Sequence, residues 1–107
     1  MIVYVAGPYS KGDVAVNVKR AIDRGMMINS LGHYAVVPHL THFMHMMHPH
    51  PYEYWLELDE RILTKFDCLF RMMGESSGAD SEELVAQAFN IPIVRTMKAL
   101  QELEETR

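Results

Sequence analysis

Ile2-Val3-Tyr4-Val5-Ala6-Gly7-Pro8 carries five apolar or aromatic residues, three of them β-branched, halted by a glycine and a proline. A short apolar run without alternation, closed by two breakers, reads as a strand buried on both faces, as in a parallel sheet. No cationic leader precedes it, so it is expected to be a strand and not a secretion signal. A helical period follows from about Asp13 to Leu31, where Val14, Val18, Ala21, Ile22 and Met26 recur at three-to-four-residue spacing. The stripe fades at Asn29, and Gly32 is the expected stop.

The alternation then repeats. Tyr34 to Val37 reads as a second strand ended by Pro38, and a helix opens at Pro51 and runs to about Lys65. Between them, residues 39–50 are rich in His and Met and show no amphipathic period. Asp67 to Met72 reads as a third strand, Gly74 to Gly78 as a loop and Ser81 to Phe89 as a short helix. Ile91 to Val94 reads as a fourth strand, and the polar stretch from Met97 onward as a last helix. Strands alternating with helices predict one α/β domain: a doubly wound, flavodoxin- or Rossmann-like parallel sheet of four or five strands flanked by helices. Ligands in such sheets bind beyond the carboxyl ends of the strands. The loops from Gly7 to Asp13, from Pro38 onward and from Met73 to Ser81 are therefore where chemistry is expected.

Composition bounds the function. The chain has 107 residues, 49% hydrophobic and 22% charged, with a formal net charge of -4. That is one globular domain, and its acidic balance argues against a nucleic-acid polymer or an anionic membrane as partner. A single nucleotide, needing only two or three placed donors, is compatible with it. Cys68 is the only cysteine and sits in an apolar run, which predicts an inert buried thiol and a reducing, cytoplasmic setting. No stretch of eighteen apolar residues is present to span a membrane.

Gly74-Glu75-Ser76-Ser77-Gly78-Ala79-Asp80-Ser81-Glu82-Glu83 is a donor-rich turn feeding a helix N-terminus, a natural seat for an anion. With Asp80 as N-cap, Glu83 completes a capping box, and Glu82 is left in the first turn without a structural task. On local pattern alone both glutamates also fit a plain acidic first turn that complements the helix dipole.

Tyr4-Val5-Ala6-Gly7-Pro8-Tyr9-Ser10 resembles the opening strand and glycine-proline loop of nucleoside 2-deoxyribosyltransferases. Ser76-x-Gly78-x-x-x-Glu82-x-x-x-Ala86, followed by Asn90-Ile91-Pro92-Ile93-Val94, is similar to their nucleophile helix and last strand. Asp59, eight residues before Asp67, resembles the aspartate of the helix that precedes the third strand. These matches keep chain order over about residues 1 to 95. The resemblance implies that Glu82 attacks the anomeric carbon to give a deoxyribosyl-enzyme, and that Asp59 contacts sugar or base and helps protonate the leaving base. A carboxylate suits that task, since it stabilises positive charge growing on the sugar and then closes to a covalent intermediate.

The residue six positions before the nucleophile separates two branches of that family. Transferases acting on free nucleosides carry an aspartate there, whereas the related deoxynucleoside 5-monophosphate N-hydrolases carry a serine that contacts the phosphate. This chain has Ser76, then Ser77 and Gly78. A hydroxyl beside backbone N–H groups welcomes a phosphate that a carboxylate would repel. Ser76 is also an ordinary turn residue. Ser10 and Lys11 of the first loop are the nearest candidates for the same phosphate, although that loop is shorter than the glycine- and arginine-rich one of the monophosphate hydrolases.

Tyr9, at the end of the first strand, either stacks on the base or packs over the loop. His39, beside Pro38, stands at the second strand's end, where it can touch substrate. His39, His42, His45 and His48 recur every third residue, but each step of three drifts about 60° around an α-helix, so the set does not converge on one ion. Interleaved with Met44, Met46 and Met47, they read as a lid or a subunit interface.

The expectation is therefore an N-glycosidase acting on 2-deoxynucleoside 5-monophosphates, with Glu82 and Asp59 catalytic and Gly7, Tyr9, Ser10, Lys11, His39, Ser76, Ser77 and Gly78 binding substrate. No cofactor or metal is expected. The partner is a small deoxynucleotide or deoxynucleoside, and a homodimer or larger homo-oligomer is expected to complete so open a pocket. Base exchange by a transferase and a non-catalytic nucleotide-binding module are the alternatives.

Overall fold

The computed structural model describes all 107 residues. Its elements, in order, are β1 (Ile2–Ala6), α1 (Val14–Ser30), β2 (Tyr34–Val36), a 3-10 turn (Pro38–Leu40), α2 (Thr41–Met47), α3 (Tyr52–Leu63), β3 (Cys68–Arg71), α4 (Ser77–Ala88), β4 (Ile93–Val94) and α5 (Met97–Glu105). The four strands form one sheet of order β2-β1-β3-β4 in which every pair is parallel. Val3 pairs with Ala35 on one side and Cys68 on the other, so β1 is central, as its unbroken apolar run requires.

Alternate residues of the strands build two cores. Val3, Val5, Cys68 and Phe70 face one way and pack with Ala21 and Ile28 of α1 and Leu100 of α5. Tyr4, Ala6 and Leu69 face the other way and pack with Leu63 of α3 and Ala79 and Ala86 of α4. Helices thus cover both faces, and the predicted doubly wound architecture is the one observed. The connection out of β1 runs to one face and that out of β3 to the other. The crevice between the carboxyl ends of β1 and β3 is the switch point of the sheet. Cys68 is fully buried, and burial pushes its thiol up to about 11.

Two expectations are corrected. The fourth helix begins at Ser77, not Ser81, so Gly74 to Gly78 is a loop only as far as Ser76. Ser76, not Asp80, is the N-cap: its Oγ accepts the Ala79 N–H at 3.1 Å. No capping box forms, because Glu83 turns instead to Arg71 Nε at 2.9 Å and Arg95 Nη2 at 2.5 Å. Residues 39–47, which show no period in the sequence, lie in the 3-10 turn and α2. None of the residues of α2 is buried, which is why no apolar stripe marks it in the sequence.

Arg71, at the end of β3, organises the loop that follows. Its buried guanidinium donates to the Met72 and Gly74 carbonyls at 2.7 and 3.0 Å, and to Glu83 and Asp80 at 2.9 and 3.1 Å. Gly74 has φ +121°, and a Cβ there would lie 2.6 Å from Pro8 Cγ. Only glycine lets the loops after β1 and β3 approach so closely.

Candidate active site

A cavity of about 670 Å³ opens at the switch point between β1 and β3. Gly7, Tyr9, Ser10, Lys11, His39, Asp59, Ser76, Ser77, Gly78 and Glu82 all line it, so the structure brings every site residue predicted from the sequence to one place. Three loops and the inward faces of α3 and α4 supply them.

Glu82 lies at the base of the cavity. Because α4 starts early, Glu82 falls in the second helical turn and not the first, away from the unpaired N–H groups of the terminus. It is buried, and the hydroxyl of Tyr4 donates to its Oε2 from the core beneath. Burial raises the Glu82 carboxyl to about 8; the Tyr4 hydrogen bond works against that rise, and the neighbouring Asp59 adds to it. Burial also drives the Tyr4 phenol upward, so it remains a neutral donor.

Asp59 faces Glu82 from α3. Burial, helped by Glu60, raises its carboxyl to about 7. Its Oδ1 is the one buried side-chain polar atom in the protein with no hydrogen-bond partner. An unpaired buried oxygen is costly, so an atom left in this state inside a cavity is suited to a partner that arrives with a ligand. Two carboxyls with raised proton affinity, one held by a phenol and one unpaired, form a couple in which one can be ionised while the other holds a proton.

The walls are also defined. His39 is buried, and its Nε2–H donates to the Pro8 carbonyl at 2.9 Å, tying the 3-10 turn to the first loop. Burial lowers its basicity while the Pro8 and Gly7 backbone bonds work in the opposite direction. Tyr9 meets His42 Nδ1 at 2.5 Å, an arrangement that spans from the first loop to α2. Lys11 pairs with Glu75 at 3.1 Å, both side chains largely exposed at the rim. Ser76 caps α4, with its hydroxyl 3.5 Å from the Gly7 carbonyl. Gly78 follows within the first turn, where a Cβ would stand 2.7 Å from the Tyr52 hydroxyl.

Sequence reasoning missed Tyr4, Glu75, His42, His45, His50, Tyr52 and Trp55. Tyr4 had a signal: a tyrosine inside a fully apolar strand must find a partner for its hydroxyl once buried. Tyr52 and Trp55 stand seven and four residues before Asp59, the spacing of one helix face. No three His, Cys, Asp or Glu side chains are grouped so as to hold a metal ion. No helix is long and apolar enough to cross a membrane.

No protein-family model matches the chain, and no curated protein matches it by sequence. Among solved structures, a 2-deoxyribosyltransferase from the psychrotolerant bacterium Bacillus psychrosaccharolyticus superposes with a TM-score of 0.62 at 16% identity. The match covers 87% of this chain and 69% of that one. The protein therefore has a nucleoside 2-deoxyribosyltransferase-like fold. The neighbour is described as a biocatalyst for the synthesis of nucleosides.

Proposed function

We propose that this protein cleaves the N-glycosidic bond of a 2-deoxynucleoside 5-monophosphate through a covalent deoxyribosyl-Glu82 intermediate. The observation that carries the reading is the Glu82–Asp59 couple at the base of the cavity, with Tyr4 donating to Glu82. The fold of the neighbouring deoxyribosyltransferase supports it by analogy only, since one fold hosts many chemistries.

Ionised Glu82 attacks the anomeric carbon as the bond from that carbon to the base nitrogen breaks. The departing pair of electrons takes the proton held by Asp59, and the base leaves neutral. Asp59, now a carboxylate, draws a proton from an entering water, whose oxygen displaces Glu82 from the sugar. Asp59 is reprotonated, Glu82 is released ionised, and the second product is the free deoxyribose 5-phosphate. The Tyr4 hydroxyl stabilises Glu82 before attack and after release. Ser77 and Gly78 offer backbone N–H groups at the start of α4 to the phosphate, beside the hydroxyls of Ser76 and Ser10 and the ammonium of Lys11.

A second reading is favoured by one contact. Glu75 neutralises Lys11 at the rim, leaving no unpaired lysine or arginine among the cavity residues. An uncharged nucleoside would enter such a site readily, and a second base in place of water would give base exchange.

Chromatography of wild type and Glu82→Ala after incubation with each deoxynucleoside and its 5-monophosphate, with and without an added base, separates the readings. Base released from monophosphates alone, and lost in the variant, is the expected result. Exchange on nucleosides would replace it with the transferase reading. Binding without cleavage in every mixture would reduce the protein to a nucleotide-binding module.

A further inference from the structure

Where α2 meets α3, His45 Nδ1 accepts two hydrogen bonds, from the Trp55 indole N–H at 2.9 Å and from the His50 backbone N–H at 3.2 Å. Neither partner can accept, because both groups only donate. The Nδ1 of His45 therefore carries no proton, and the ring proton lies on Nε2. Exchanging the ring's two ends would forfeit both bonds, so the network also determines the ring's orientation. The situation differs at His42, whose partner is the Tyr9 hydroxyl, a group able to donate or accept.

The surroundings hold this ring in place. Trp55 stands edge-on to His45 at 5.9 Å and 81°. His50 stacks on Tyr54 at 3.9 Å and meets Trp55 at 90°, while its own Nδ1–H donates to the His48 carbonyl at 2.7 Å. His45 lines the cavity, its Nε2 meets no protein acceptor, and it is not among the buried unpaired atoms. Its N–H is thus open to what the cavity holds. Trp55 precedes Asp59 by one helical turn on α3, about 6 Å along the axis, a distance a base leaving from beside Asp59 can span.

We propose that His45 is a specificity-determining residue, whose locked Nε2–H is a fixed hydrogen-bond donor that selects bases turning a ring carbonyl oxygen or unprotonated ring nitrogen toward α2. The proposal rests on the N-glycosidase reading of the site. A base lacking that acceptor forfeits one neutral hydrogen bond to a donor that water can still reach, and this discriminates by about threefold to tenfold.

The test has two parts. Nitrogen-15 NMR of the ring nitrogens should show His45 protonated on Nε2 and bare on Nδ1. Calorimetric titration of wild type, His45→Phe and His45→Gln should then compare adenine with its 1-, 3- and 7-deaza analogues, and uracil with its 2- and 4-thio analogues. In wild type at least one analogue should bind about threefold to tenfold more weakly than its parent. That difference should vanish in His45→Phe and persist in His45→Gln, whose amide supplies an N–H in place of the lost one. A proton found on Nδ1, or an unchanged order of analogues in His45→Phe, overturns the proposal. Failure of every base to bind wild type, with the Nε2–H form still present in the spectrum, overturns both this inference and the N-glycosidase reading.

Discussion

Replacing Glu82 by glutamine should change how the stability of the fold depends on pH, with no substrate present. The unfolded chain ionises this carboxyl near 4.5, whereas the folded protein holds the proton until about 8. Between those values the native state binds a proton that the unfolded state has released, so stability falls as pH rises. The contribution is complete below 4.5 and is lost as pH passes through about 8. A displacement of this size corresponds to about 3 to 5 kcal/mol, a large part of the ordinary stability of a domain. Asp59, raised from 3.8 to about 7, acts in the same direction but more weakly because it is partly exposed. Glu82→Gln keeps an oxygen for the Tyr4 hydroxyl and removes the titrating group. Urea unfolding at pH 5, 7 and 9 should show wild type losing stability and the variant losing about 3 kcal/mol less over that range. Parallel pH dependences for the two proteins would refute the assignment of a buried, hard-to-ionise carboxyl at this position.

Three further outcomes follow from the same geometry. Cleavage needs Glu82 ionised and Asp59 protonated, the reverse of their order of proton affinity, so the productive form is a minority and the rate should rise up to about 7 and fall above about 8, a narrow bell belonging to the coupled pair. Tyr4→Phe removes a donor to the charged carboxyl, worth about 1.5 to 3 kcal/mol, and should slow cleavage at pH 7 by about tenfold to a hundredfold with partial recovery in base; a loss independent of pH would count against this role. Arg71→Met leaves the carbonyls of Met72 and Gly74 unpaired and Glu83 with Arg95 alone, and should destabilise the protein by about 2 to 4 kcal/mol in denaturant titration, with less than 1 kcal/mol refuting the account of the loop.

Much of the fold is determined locally. The apolar run of β1, its Gly7-Pro8 stop and the stripe of α1 require no tertiary information, because strand burial and helix period leave their marks on neighbouring residues. The alternation of elements then implies a parallel sheet, and the sheet implies where a ligand must lie, which is why Gly7 and His39 were legible as candidates; Asp59 and Glu82, which local pattern fits equally to acidic helix surfaces, stood out only through the resemblance to deoxyribosyltransferases. The start of α4 was not. Asp80 and Ser76 are both good caps by type, and the choice between them fell to Arg71, which reaches from β3 to occupy Asp80 and Glu83. The contact between Tyr4 and Glu82 lies equally beyond the sequence, since it joins residues 78 positions apart. So does the tautomer of His45, which two donors determine from α3 and from the turn before it. Periodicity records which face of an element is buried; which polar atom meets which across that face is set only when the elements pack, and the proton affinities of the site are set with it.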